Sequence, residues 1–167
     1  MTIRIDSNTG DIKEVRAEGF KTSGQPNRDE EGICYVPQTN TVFLSSESDK
    51  QIIEYSLDGQ LTGRRLNIPQ LLNLTYDNRS FEALTYNAAT QRFWTTTENT
   101  LKADGMMPGI KCKIANMVRL QSFNNNLQPC DTAIVACLHR LVEVTLFVQY
   151  YLLCCGLHRD SQQEARE

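Results

Sequence analysis

Short runs of alternating apolar and polar residues, separated by turn residues, make up most of the chain. One strand is predicted near Gly32 to Tyr35, then a polar turn through Pro37-Gln38-Thr39-Asn40. A second strand follows from Thr41 to Ser46, where β-branched and aromatic residues concentrate. A third, Gln51-Ile52-Ile53-Glu54-Tyr55, runs into Leu57-Asp58-Gly59-Gln60, whose Asp-Gly pair suits a hairpin turn. The fourth covers Leu61 to Ile68 and stops at Pro69, which has no N–H to give a sheet ladder.

This pattern is a repeat. The segment Asn27 to Tyr35 recurs without a gap 51 residues later as Asn78 to Tyr86. Arg28 falls on Arg79, Glu31 on Glu82, Thr39 on Thr90, Val42-Phe43 on Phe93-Trp94, Ser45-Ser46 on Thr96-Thr97 and Glu47 on Glu98. Six of the 21 positions aligned from Asn27 to Glu47 are identical, where ordinary residue frequencies give roughly one or two; two copies of one unit are therefore expected. The third-and-fourth-strand pattern also opens the chain, as Ile3-Arg4-Ile5, the turn Asn8-Thr9-Gly10-Asp11 and Ile12 to Ala17. It returns as Met117 to Leu120 with the turn Asn124-Asn125-Asn126.

Four strands per unit at a period near fifty is the arithmetic of a β-propeller blade. The expected fold is all-β: a partial β-propeller of about two four-stranded blades over residues 1–129, the second lengthened by the insertion Asn99 to Asn116. Propellers close with four or more blades, so the chain reads as a fragment. Its open blade edges invite self-association.

Residues 130–167 read differently. From Leu141 to Leu157 the chain is almost continuously apolar, with Arg140 before it and His158-Arg159 after it. Three readings stay open: a membrane span at the lower limit of length, a helix covering the open blade edge, or an out-of-frame translation. For the last, the codons of Asp131 to Val135, shifted by two nucleotides, can encode Tyr-Ser-Tyr-Arg, which alternates as a blade strand should.

Composition narrows the function. A net charge of -3 with 17 basic residues scattered along the chain offers no basic stripe, which excludes a nucleic-acid interface. Cys34, Cys112, Cys130 and Cys137 stand apart and Cys154-Cys155 are adjacent, so zinc-ligand spacing is absent and free thiols are expected. The N-terminus has no signal-peptide pattern, and read literally the chain stays inside the cell. No G-x-S-x-G, Walker or G-x-G-x-x-G motif occurs, and His139 and His158, the two histidines, both lie in the tail. Phe43 and Trp94 read as core.

The carboxylates carry the candidate chemistry. Each repeat has one Glu at the start of its first strand (Glu31, Glu82) and one at the end of its second (Glu47, Glu98). Hairpin geometry returns both to the same end of the blade, giving a rim of carboxylates able to take calcium, which seeks six to eight oxygen ligands. Asp104, in the insertion, is a further candidate ligand. Glu31, Glu82 and Glu98 are the candidate catalytic carboxylates, steering a metal-bound water. Arg28, Arg79 and Lys102 are the candidate substrate-binding groups, an arginine being able to hold a phosphate bidentately. The structural alternative is that each arginine pairs with a glutamate of its own or the next blade, and that Asp104-Gly105 is only a turn.

Asp29-Glu30-Glu31-Gly32-Ile33, Ser46-Glu47, Gly59, Phe81-Glu82-Ala83-Leu84, Thr97-Glu98 and Leu101-Lys102-Ala103-Asp104-Gly105 occur in an order that resembles the phytase-like family, also described as esterase-like activity of phytase. The family pattern runs D-P-E-G-I, S-E-G, N-x-G-F-E-G-L-A and E-x-x-L-x-x-D-G, and Arg119 to Phe123 resembles its next strand. Glu30 stands where the family has Pro, and Ser48, Ser80 and Ala83 where it has Gly; no carboxylate is lost. The resemblance stops beyond Pro129. It implies a propeller, hydrolysis of phosphoesters or esters, and a periplasmic or secreted parent protein. With two blades unable to surround a substrate, this chain is expected to be inactive alone. The rival readings are a non-catalytic propeller binding a ligand or protein, and a form tethered to a membrane through 141–157.

Overall fold

The computed structural model describes residues 2–17, 19, 24–76, 79–105 and 116–137. They build three antiparallel sheets and one short 3-10 turn, Gln70–Asn73. An N-terminal hairpin pairs β1 (Thr2–Ile5) with β2 (Ile12–Arg16). The first four-stranded sheet is an up-and-down meander of β3 (Glu30–Val36), β4 (Thr41–Ser46), β5 (Ile52–Ser56) and β6 (Leu61–Arg65). The second repeats that order with β7 (Phe81–Asn87), β8 (Arg92–Thr97), β9 (Asn116–Phe123) and β10 (Pro129–Cys137). The all-β expectation and the internal repeat are therefore observed.

Register shows how closely the copies correspond. Ile33 faces Leu44 and Cys34 faces Phe43 in the first sheet; their counterparts Leu84–Thr95 and Thr85–Trp94 face each other in the second. Both first strands also carry a bulge at the same place, between Glu30 and Gly32 and between Phe81 and Leu84. A bulge sets two residues against one and re-aims the side chain between them. That side chain is Glu31 in one copy, and Glu82 lies within the bulge of the other.

The sheets stack head to tail. The first turns Cys34, Val36, Phe43 and Ile52 inward, and Phe43 meets Phe93 at 4.7 Å between ring centroids. Phe93 is the counterpart of Val42, not of Phe43, so the second sheet answers with the opposite face of the same unit. Leu84, Phe93 and Phe123 complete the core with Leu66, Leu72, Phe81 and Leu101. Phe43 is core as expected, whereas its counterpart Trp94 is only half-buried. Gly32 is required at the junction: a Cβ there would lie 2.7 Å from Ser45 Oγ and 2.9 Å from the Glu82 carbonyl oxygen and Leu84 Cβ.

β10 runs through the position where the sequence pattern was expected to end. Asn124 N donates to Gln128 O and Leu127 N to Asn124 O, both at 2.9 Å, and this turn sends the chain back along β9. Pairing with β9 then supplies the regularity that residues 130–137 lack in their own pattern, moving the end of the second unit from 129 to 137. The expected fourth strand of the first unit is likewise shorter than read, ending at Arg65. The apolar tail 141–157, His139, His158, Cys112, Cys154, Cys155 and most of the insertion lie outside the described residues. Among the described residues no helix is long and apolar enough to cross a membrane.

Candidate functional site

Five carboxylates meet at the end of the sheets where β3 and β7 begin. The backbone that places them is the same in both copies. Glu47 N donates to Asp29 O at 3.0 Å, and the equivalent Glu98 N donates to Ser80 O at 2.8 Å. Each bond fixes the glutamate after the second strand against the residue just before the first, beside the bulge. Asp29 reaches its position with a φ of 56°, a left-handed conformation that Asp tolerates better than most residues.

The result is two overlapping groups of three. Carboxylate oxygens of Asp29, Glu31 and Glu47 lie within 4.8 Å of one another, and so do those of Glu47, Glu82 and Glu98. Glu47 belongs to both. Only 8% exposed, it crosses the junction, accepting a hydrogen bond from Ser80 N at 2.9 Å. Positive charge is scarce here: Arg79 bonds Glu98, and its side chain is 42% exposed. Ser80 Oγ is buried and has no hydrogen-bond partner among the described residues.

Crowded acids withdraw from ionisation. Burial, then the neighbouring Glu31, Glu98 and Glu47, push the Glu82 carboxyl up to about 7 against the opposing pull of Arg79. Glu31 is raised by burial and by Glu47 and Asp29. Glu47 is raised chiefly by burial, with Glu98 and Asp29 adding to it and the Ser80 N–H and Arg79 working the other way.

Of the residues expected from the sequence, Glu31, Glu47, Glu82 and Glu98 are brought together, with Arg79 at their edge. Three others belong to structural pairs outside both groups. Arg28 Nε and Nη2 hold Asp49 at 2.7 and 2.8 Å, and Nη1 reaches the Tyr55 hydroxyl at 3.1 Å. Asp104 is gripped by Arg119 Nε and Nη2, both at 2.6 Å, which holds its carboxyl below the usual range. Lys102 Nζ sits 5.5 Å from the centre of the Tyr76 ring. Asp29 was not expected at the site, since its counterpart in the second copy is Ser80; the signal available was the leading Asp of the Asp29-Glu30-Glu31-Gly32-Ile33 string.

The donor set fits a hard divalent cation. Carboxylate oxygens are what calcium binds, and those of each group, all within 4.8 Å of one another, are close enough together for one cation to be shared among them. These features define a class: an all-β protein of repeated antiparallel sheets with an acidic cluster at the sheet junction. The family model described as Phytase-like, Esterase-like activity of phytase, matches residues 1–134. The chain belongs to this phytase-like family. No curated protein matches the sequence.

Proposed function

We propose that the chain carries the cation-binding arc of a phytase-like hydrolase acting on phosphoesters or esters. The observation behind this reading is the convergence of Glu31, Glu47, Glu82 and Glu98, with Asp29, around the sheet junction. Glu47 and the carboxylates on either side would hold calcium. Bound there, the cation would polarise the substrate oxygen and acidify water. Glu82, poised near neutrality, takes a proton at its carboxylate oxygen or returns it. Arg79, held on one side by Glu98, keeps its exposed edge toward a substrate oxyanion.

The propeller reading rests on the stacking. A head-to-tail interface uses different faces of equivalent units, so it propagates until a ring closes. Further units would enclose the substrate, and turnover is expected only with them. A parent protein exported to the periplasm or beyond would fit the family.

A second reading, a binding module without turnover, is favoured by Arg28 and Asp104, whose charges are already consumed by Asp49 and Arg119. The coding DNA past residue 137 should be read in all frames, and the chain extended by any further sheets it encodes. Calcium-dependent release of phosphate or of an ester's acid, lost in Glu82→Gln, supports the hydrolase. Calcium binding without release supports the module.

A further inference from the structure

We propose that the cleft at the same end of the first sheet as the carboxylates, between the β4–β5 connection and the segment after β6, is a phosphate-binding site built on Lys50 and Arg65. This extends the hydrolase reading to the substrate's anionic group and rests on that reading for its role. The cleft measures about 610 Å³ and is lined by Asp49, Lys50, Gln51, Arg65, Asn67 and Asn73 over a floor of Leu66 and Ile68.

Its position follows from the strand ladder. β4 ends just before Glu47, and the connection carrying Asp49 and Lys50 leads straight into β5 at Ile52. Arg65 pairs with Ile53 near the start of β5, so the end of β6 arrives at the same end of the sheet. Lys50 stands three residues beyond Glu47 in sequence.

Its charge is the second point. Asp49, the one acid of the cleft lining, is neutralised by the bidentate Arg28. Lys50 Nζ bonds only the Asn73 carbonyl at 3.3 Å and Arg65 Nη1 only the Gln51 amide oxygen at 2.9 Å, so neither has a carboxylate partner among the described residues. Two cations facing neutral acceptors, with three side-chain amides beside them, form a donor-rich pocket without a counterion. Phosphate, with several acceptor oxygens and up to two charges, matches it. A guanidinium and an ammonium provide a planar fork and a point charge for the same anion. The expected substrate arginine Arg28 thus serves the site indirectly, by cancelling Asp49.

The test is binding of inorganic phosphate to the full chain by calorimetry in the presence of a chelator. Wild type is expected to bind, and the Lys50→Gln/Arg65→Gln double variant to bind at least about tenfold more weakly. Arg16→Gln, which removes a surface cation elsewhere, is expected to leave affinity unchanged. Circular dichroism and the unfolding midpoint check that the double variant is folded. Equal affinity in wild type and double variant, an equal loss in Arg16→Gln, or binding that appears only when calcium is added would each overturn the site. So would no phosphate binding at all. If the carboxylates take no cation, phosphate still binds in chelator, which separates failure of the hydrolase reading from failure of this one.

Discussion

Glu54 and Glu47 are both buried glutamates of the first sheet, one 1% and the other 8% exposed, yet their surroundings are opposite. Glu54 lies among donors: Thr41 Oγ1 at 2.7 Å, Thr62 Oγ1 at 2.6 Å and Arg64 Nη1 at 2.9 Å. Glu47 lies among acids, with one backbone N–H at 2.9 Å for support. A carboxylate kept for folding is surrounded by partners that cancel its charge. A carboxylate whose neighbours repeat its charge is destabilising unless a proton or cation joins them. Burial alone does not separate the two cases; the company does.

The sharpest contrast comes from removing each side chain. Glu54→Ala leaves Arg64 and two threonines without their acceptor and is expected to cost about 2–4 kcal/mol, read by urea unfolding. Glu47→Gln in cation-free buffer is expected to cost far less, or to stabilise, because it relieves repulsion while keeping an oxygen for Ser80 N. An equal loss in both variants would erase the distinction. Gly32→Ala, which forces a methyl into the junction between the two ends, should cost about 1–3 kcal/mol, because one of the atoms it meets is backbone.

Next in size is a pH effect. The Glu82 carboxyl titrates near 7 in the folded chain against an ordinary value of 4.5, so between those values the folded state binds more protons than the unfolded. Without cation, stability from this group is therefore lost as pH rises from about 4.5 to about 7 and stays low above that. Glu82→Gln is expected to flatten that slope, seen as an unfolding midpoint that no longer falls across the window. Smallest is Arg28→Gln, expected to lose about 1 kcal/mol through its pair with the partly exposed Asp49 while leaving calcium affinity unchanged.

Much of this arrangement was legible in the sequence. The offset that aligns Glu31 with Glu82 and Glu47 with Glu98 is the offset of the strand registers, so the repeat located four of the five clustered acids before any coordinate. Asp29 escaped because the repeat pairs it with Ser80, so the alignment of the two copies did not mark it as an acid of the rim. Arg28 and Asp104 were expected at the site because their residue types fit, but pairing depends on partners distant in sequence: Asp49 comes from the β4–β5 connection, and Arg119 from β9, beyond the insertion. β10 escaped for a related reason, since its order comes from β9 and a turn that precedes it. The cleft had no motif, because Lys50 and Arg65 are brought to one end of the sheet only when β4 and β6 fold on either side of β5.

The most direct test of the central claim, that the junction acids form one cation site, is calcium titration of wild type and Glu47→Gln by calorimetry at neutral pH. The account predicts a saturable site in wild type, weakened at least about tenfold when the shared carboxylate is neutralised. Absence of binding in wild type, or the same affinity in both proteins, would contradict it.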